Sequence, residues 1–559
     1  MQTMKNILFI TFLIFCLGIK AQRYSLSLEQ HIATQDWLLI DTIGKNQSAD
    51  MIVQDSKGYI YIGTNKEPLF NQGKQQILKI DTAGRVIWRY YLTAPKSFAS
   101  LKKILIDKDD NILLLTVENG VSCIKKIDSE TKEEVWTHFA NQYTDYFDIA
   151  TDKEGNIYGT GWEYSRPNVS PAFVEKIAPT GEKLWLSVYE INVPDTVYIV
   201  LYGNKIEIAP DNSIYIAAFE GGVNQQTVFK YNPDGLLAWR SSYHYAATAG
   251  MEFYVVDMKI DQDNACYLSC SLDTAHVMGF RYPYPEDGLL LKFNANGGVE
   301  WDKAYIHENK MYMGRLAIND NNHLLLVGAI IQDSLQYGNR NGYIANISSS
   351  GNIIWEQRLS NTANTFFSDI VIANNYIYVM GNAYCCMNDV GGAITPTFSV
   401  DWYLTKLNLY GDIVWWTSEN GSTHERDLPF GIVLSPDKES IYVAGWLEQR
   451  YGPYKVVTSA VAKYTNRKES LPFEVSFYPN PLNQAEEGNI LLNLAQAEQV
   501  NLVFYNAIGQ EVGKLVQDFA EGKHIIPWHF SPILATGMYF YRLSTPSQSA
   551  TGKLIIIKK

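Results

Sequence analysis

Eight tryptophans recur along this chain, and each closes the same short passage: an apolar strand, a Gly or Asn turn, then the indole. They are Trp37, Trp88, Trp136, Trp185, Trp239, Trp301, Trp355 and Trp415, spaced by 51, 48, 49, 54, 62, 54 and 60 residues. Self-similarity at this period means one supersecondary unit per repeat, none able to bury its apolar face alone. Within a repeat the pattern reads as four strands. In the third, Tyr146 to Thr151, Asn156 to Gly161, Phe173 to Ala178 and Leu184 to Leu186 are apolar-rich segments with alternation. Asp152-Lys153-Glu154-Gly155 and Pro179-Thr180-Gly181 are the tight turns between them. Such units predict an all-β chain built on a β-propeller, one blade per repeat.

The repeats count to eight blades, with seven left open. Second strands such as Tyr59-Ile60-Tyr61-Ile62-Gly63 and Ile441-Tyr442-Val443 occur eight times, as do third strands, from Leu78-Lys79-Ile80-Asp81 to Ala462-Lys463-Tyr464-Thr465. The eighth third strand has no turn glycine and no tryptophan after it. The missing piece stands at the other end of the chain, in Asp36-Trp37-Leu38-Leu39-Ile40. This N-terminal strand is expected to complete the eighth blade as its outermost strand, so that the ring has no open seam. Gly84, Gly181, Gly235, Gly297, Gly351 and Gly411 are expected to supply positive φ in the hairpin turns. The eight tryptophans are expected to pack between neighbouring blades.

Asp148 to Tyr158 resembles the β-propeller repeats of large secreted bacterial proteins. Lys79 to Trp88, reading Lys-Ile-Asp-x-x-Gly-x-x-x-Trp, resembles the tryptophan-docking motif of pyrroloquinoline quinone dehydrogenases. The resemblance spans nearly all of residues 35–466 and concerns fold rather than function. Those dehydrogenases use an adjacent cysteine pair as a disulfide over the cofactor. Here Cys385-Cys386 lies in a seventh-repeat loop, away from the family's early position. The family's calcium ligands and catalytic aspartate have no match, so no cofactor and no metal are expected.

After Asn466 the pattern changes. Residues 467–472 read as a linker, and 473–559 as a small β-sandwich of six or seven strands. Tyr478-Pro479-Asn480-Pro481, the Asn-x-x-Gly turn ending at Gly509, the Gly537-x-Tyr539 strand and the Lys-rich last strand with Lys553 follow in that order. The segment is similar to the type A sorting domain of type IX secretion cargo in Gram-negative Bacteroidota. That resemblance implies the type IX machinery as partner, and a secreted or outer-membrane-surface location. In that family the domain is often cleaved, and the cargo is released or attached to surface lipopolysaccharide.

The N-terminus fits such a route. Lys5 precedes an apolar run from Ile7 to Leu17, and Ala21 suits a cleavage site, so residues 1–21 read as a signal peptide and 22–466 as the propeller. No other segment approaches the ~20 apolar residues of a spanning helix. Removing Lys5 and Lys20 takes the formal charge from −13 to −15, which argues against nucleic acid as a partner. The five cysteines left are too few and too scattered for a disulfide scaffold or a zinc site.

Chemistry is hard to find. The chain has no Gly-x-Ser-x-Gly elbow, no His-Glu-x-x-His and no phosphate loop. Asp/Asn clusters such as Asp107 to Asn111 lack the ligand set of a calcium loop and suit turns instead. Connection length is more informative. The segments between second and third strands are often long: Thr64–Gln76, Trp162–Ala172, Ser271–Gly288, Ile330–Asn341, Asn382–Trp402 and Trp446–Ser459. In a propeller these share one face. They carry Trp162, Tyr164, Arg166, Arg281, Tyr282, Tyr284, Tyr384, Trp402, Trp446, Arg450, Tyr451 and Tyr454, the residue types of binding hot spots. The expectation is a binding module for an extracellular glycan, peptide or surface protein. A channel enzyme, quinone-dependent or glycan-cleaving, and a structural adhesin are the alternatives. A convergent carboxylate pair in the channel would favour the enzyme.

Overall fold

The computed structural model describes residues 34–41, 47–66, 75–92, 100–141, 143–164, 169–189, 199–220, 225–244, 252–273, 287–305, 311–331, 340–359, 365–385, 399–419, 427–451, 454–465, 474–478, 482–483, 488–494, 497–520, 522–528, 534–546 and 549–557. Residues 1–21, expected to be a signal peptide, and 467–472, expected to be a linker, lie outside the described residues. The chain forms two compact units, Met1–Asn466 and Arg467–Lys559. Every regular element among the described residues is a β-strand.

Among the described residues the first unit holds eight sheets, each of four principal antiparallel strands, in the architecture of a β-propeller. The third sheet shows why the repeat folds this way. Its strands are Thr144–Thr151, Ile157–Glu163, Ala172–Ile177 and Lys183–Val188. The two middle strands are buried along most of their length, while no residue of the outer strand is fully buried. Continuous apolar runs therefore occupy the centre of a blade, and the looser Trp185 strand takes its edge.

Closure is visible in the pairing. Thr34–Asp41 runs antiparallel to Tyr454–Thr465, from Thr34 opposite Thr465 to Asp41 opposite Ser459. It forms the outer edge of the sheet that contains Asp427–Leu434 and Ser440–Tyr451. The first strand of each sheet packs on the first strand of the next, and that of the eighth returns to that of the first. A short extra strand, Val169–Ser170, pairs in parallel with Ile199 and Val200 of the fourth sheet. The second-to-third connection of one blade is thereby tied to its neighbour.

Two devices join the blades. The outer one uses the repeated tryptophans. Five of the indole N–H groups donate to a carbonyl in the third-to-fourth turn of the following sheet: Trp88 to Ser129 (3.1 Å), Trp136 to Pro179 (3.0 Å), Trp239 to Ala295 (2.9 Å), Trp301 to Ser349 (3.0 Å) and Trp355 to Leu409 (2.8 Å). Gly181 shows what this requires of the turn. Its φ is +89°, and a Cβ there would stand 2.6 Å from the Trp136 ring. The glycine thus serves the turn conformation and the ring lying beneath it. Trp415 is 5% exposed in the core. Trp37 lies in the closing strand, and its side chain is outside the described residues.

The inner device is a bulge in every first strand, at the same place in each sheet. Bulges sharpen twist and re-aim side chains. The facing second strand makes room with glycine: a Cβ on Gly328 would fall 2.0 Å from the Tyr312 carbonyl oxygen. Just past the bulge, the third, fifth and seventh sheets carry Asp148, Asp257 and Asp369. Each carboxylate accepts the N–H of its own next residue and an N–H from the following sheet, at Ile206 (3.1 Å), Leu316 (2.9 Å) and Ile432 (3.2 Å). Cations of the preceding sheet reach two of them, Lys103 at 2.6 Å from Asp148 and Arg315 at 3.6 Å from Asp369. Burial raises the Asp369 carboxyl above the ordinary range, with Arg315 opposing the shift.

The second unit has a three-stranded sheet in the order Glu474–Tyr478, Gly488–Leu494, Gly522–Trp528. Its other sheet has five strands, in the order Leu482–Asn483, Ser549–Ile557, Gly537–Ser544, Glu498–Tyr505, Glu511–Phe519. Val475, Ile490, Leu492, Leu502, Phe504, Leu543 and Leu554 fill the core between the two sheets.

Candidate functional site at the inner rim

First strands begin where second strands end, as Thr144 opposite Glu163 shows. Their opening residues therefore share a face with the long connections, around the axis of the ring. Two residues before the bulge, successive sheets carry Ser48, Ser100, Asp145, Tyr202, Tyr254, Tyr312, Phe366 and Leu428. The rim is polar in the first three sheets and aromatic in the next four.

Ring contacts cross three blade junctions here, third to fourth, fourth to fifth and sixth to seventh. Phe147, the bulge residue of the third sheet, lies 5.5 Å from Tyr202 between ring centroids. Tyr202 lies 5.4 Å from Phe219, and Phe219 lies 6.2 Å from Tyr254 with planes only 8° apart. Tyr312 meets Phe366 edge-on at 6.0 Å. Phe147 and Tyr254 are 38% and 36% exposed, and Phe430, at the bulge of the eighth sheet, is 37% exposed. Phe147, Tyr254 and Phe430 thus leave aromatic surface in water around the axis, as Tyr91 and Phe139 do on the outer strands.

The polar half is charge-balanced. Lys102 donates to Asp145 (2.8 Å) and to the Tyr146 carbonyl (2.6 Å), and its ammonium lies 4.9 Å from the Phe147 centroid. Ser122 also donates to Asp145. Asn65 bridges the first and second sheets, donating to the Leu101 carbonyl at 3.1 Å. Burial raises the Asp50 carboxyl, and hydrogen bonds involving Ser48 and Asn65 oppose that shift.

Tyr146, between Asp145 and Phe147, points the other way. Its hydroxyl donates to buried Glu175, which His138 also meets at 3.2 Å and Lys183 at 3.8 Å. His138, Glu175 and Lys183 line a cavity of about 110 Å³ with Phe139, Asn141, Thr144, Phe173 and Leu186. Anchoring Tyr146 in this way fixes the stretch of strand that presents Asp145 and Phe147.

Trp162 and Trp446 stand directly across the strand pair from the rim residues Asp145 and Leu428. Tyr164 is 50% exposed and lies 6.3 Å from Trp162. Trp402 is elsewhere: at 3% exposure it belongs to the core with Trp415, Leu447 and Tyr464. The reason is that pairing runs past the expected end of the strand, to Cys385 opposite Ser399. Likewise the expected loop Trp446–Ser459 is a hairpin paired out to Arg450 opposite Lys455 and Tyr451 opposite Tyr454. Tyr384, Arg450, Tyr451 and Tyr454 are therefore strand residues, with side chains outside the described set. Arg166, Arg281, Tyr282, Tyr284 and Cys386 lie outside the described residues altogether. Phe147, Tyr202, Phe219 and Tyr254 went unselected in the sequence because they sit within strands. Only aligning the repeats on their bulges brings them to one level.

Among the described residues no group of His, Cys, Asp or Glu is arranged to hold a metal ion. Asp148, Asp257 and Asp369, just past the bulge, are engaged as inter-blade acceptors rather than as a convergent pair. No helix among the described residues is long and apolar enough to cross a membrane.

In the second unit, Gly509 (φ +81°) closes a turn in which Asn506 accepts the N–H groups of Ile508 and Gln510. Tyr539, 5% exposed, donates to the Ala535 carbonyl at 2.8 Å. Gly537 opens that strand, Lys553 is exposed on the last one, and Tyr478 ends the first. Pro479, Asn480 and Pro481 lie outside the described residues.

Residues 476–558 match the secretion system C-terminal sorting domain family. That domain directs export by the type IX secretion system to the cell surface or the extracellular space. With the fold of the first unit, this defines a type IX-sorted β-propeller protein. No curated protein matches the chain. Among solved structures it is similar to the Dos1 propeller, at 11% identity and a TM-score of 0.47 over 78% of this chain and 96% of that one. It is also similar to PorZ, a surface component of the type IX secretion system of Porphyromonas gingivalis, at 12% identity and a TM-score of 0.35 over 91% of this chain and 74% of that one.

Proposed function

We propose that the chain is a cleaved, exported eight-bladed propeller that works as a binding module, with the inner rim of the long-connection face as its ligand site. One observation carries this reading. At a single homologous level, where symmetry would repeat one residue, four successive blades carry aromatic rings, Tyr312 among them buried, and three carry polar groups. The backbone register and the bulge repeat at this level with serine as with tyrosine, so the strand pairing does not require the division. The long-connection tryptophans Trp162 and Trp446 extend the same surface outward.

The test is thermal unfolding of the chain from residue 22 to 559 against neutral and anionic polysaccharides and peptide mixtures, in parallel with Tyr254→Ala. A ligand that binds the native state raises Tm by mass action. The expected outcome is a shift with at least one class of ligand that disappears in Tyr254→Ala. A shift that survives both Tyr254→Ala and Phe147→Ala places the ligand elsewhere and refutes the rim.

A further inference from the structure

Resting on that binding role, we infer that the ligand of the rim is a neutral glycan chain, laid along the partly exposed rings of Phe147, Tyr202 and Tyr254, with buried Phe219 packed behind them as the link between Tyr202 and Tyr254. The rings follow one another at 5.5, 5.4 and 6.2 Å, so they form a shelf rather than a single deep pocket. A shelf of consecutive aromatic faces suits a repeating ligand whose every unit offers one apolar face and a polar edge. A sugar ring has that shape, with its C–H groups on one side and its hydroxyls around the rim. Peptide anchors instead call for a few enclosed side-chain pockets.

Charge decides between neutral and anionic polymers. The cation nearest the shelf, Lys102, is already held by Asp145 at 2.8 Å. Beside Phe219, Glu220 holds Arg240 at 2.5 Å. Lys102 and Arg240 are therefore both engaged by carboxylates of this chain, and a ligand carboxylate or sulfate would have to compete for them. With a formal charge of −13 the chain as a whole repels a polyanion. Asp145 at the Phe147 end keeps a carboxylate available to accept from sugar hydroxyls, a pairing that gains from its ionised state.

The experiment is titration of the chain from residue 22 to 559 with neutral hexasaccharides (malto-, cello-, xylo- and chito-oligosaccharides), with oligogalacturonate and with a mixed peptide pool, each at low and high salt. The expected result is that at least one neutral hexasaccharide binds, with an affinity insensitive to ionic strength. Tyr254→Ala and Phe147→Ala should each weaken it about tenfold or more, a loss of ~1.4 kcal/mol or above, while Tm stays unchanged. If oligogalacturonate or peptide binds instead, and the two variants abolish that binding, the rim stands and the neutral glycan is overturned. If a neutral hexasaccharide binds but neither variant weakens it, the rim itself falls. Absence of binding by every neutral hexasaccharide at millimolar concentration also overturns the inference.

Discussion

The outer and inner joints of the propeller obey different rules. On the outside, the same arrangement returns at junction after junction: an indole under the next turn, its N–H on a turn carbonyl at 2.8–3.1 Å. Behind it, the second-strand tyrosine meets the tryptophan ring, as in Tyr61–Trp88, Tyr158–Trp185 and Tyr267–Trp301. A third-strand lysine lies near that tyrosine, 5.1 Å away for Lys176 and Tyr158 and 5.3 Å for Lys292 and Tyr267. At the inner rim, homologous positions hold serine, aspartate, tyrosine, phenylalanine and leucine in turn. Repetition is what closure demands, since every blade faces the same packing problem. Departure from repetition, at a level where the backbone itself repeats, is where a ligand would be read.

The heaviest way to break the comparison is to open the ring. Deleting residues 34–41 removes the strand paired with Tyr454–Thr465 and leaves that strand as a bare edge. Tm should fall by on the order of 10 °C or more, with a tendency to associate through the freed edge. An unchanged melting curve would show that the pairing contributes nothing to closure. Next comes Gly328→Ala, whose Cβ would meet the Tyr312 carbonyl oxygen at 2.0 Å. A backbone atom cannot move aside as a side-chain tip can, so the cost should reach ~3 kcal/mol in chemical denaturation. A loss below ~1 kcal/mol would mean that the inner bulge is soft. Trp239→Ala, at the outer dock, removes a partly buried indole and its 2.9 Å bond to Ala295. A loss of ~3 kcal/mol is expected from such a truncation, with ligand binding retained by the folded fraction.

How much of this was legible beforehand follows the same division. The outer joint is written in the sequence because its parts sit at fixed spacing: Lys79, Asp81, Gly84 and Trp88 announce the hairpin and the dock together. Closure by Trp37 and its neighbours was legible for the complementary reason, as one strand too many at one end and one too few at the other. The inner rim was not legible. Whether Tyr254 or Phe253 faces the rim depends on register, and the bulge at Val256 shifts that register by one residue. Loop length also misled: between Trp446 and Ser459 the chain continues its ladder instead of looping. The β-branched run Val456-Val457-Thr458 is consistent with that extension. Trp402 was drawn inward by the like extension of the seventh sheet, where pairing reaches Cys385 opposite Ser399, into the core it shares with Trp415.

The lightest perturbation is the sharpest. Tyr254 is 36% exposed, and its ring meets Phe219 at 6.2 Å in near-parallel planes. Replacing it by alanine leaves the cross-strand pair with Ser271 intact in the backbone and removes a ring that is partly in water already. Stability should change by less than ~1 kcal/mol, the range of surface substitutions and single aromatic contacts. Far-ultraviolet circular dichroism and the denaturation midpoint should superpose on those of the unaltered protein. Set beside Trp239→Ala, the pair forms a double dissociation: the dock variant loses stability and keeps recognition, while the rim variant keeps stability and loses recognition. A Tyr254→Ala protein that unfolds as readily as Trp239→Ala would make the rim aromatics one more layer of blade packing, and their uneven distribution around the ring would then lose its claim to function.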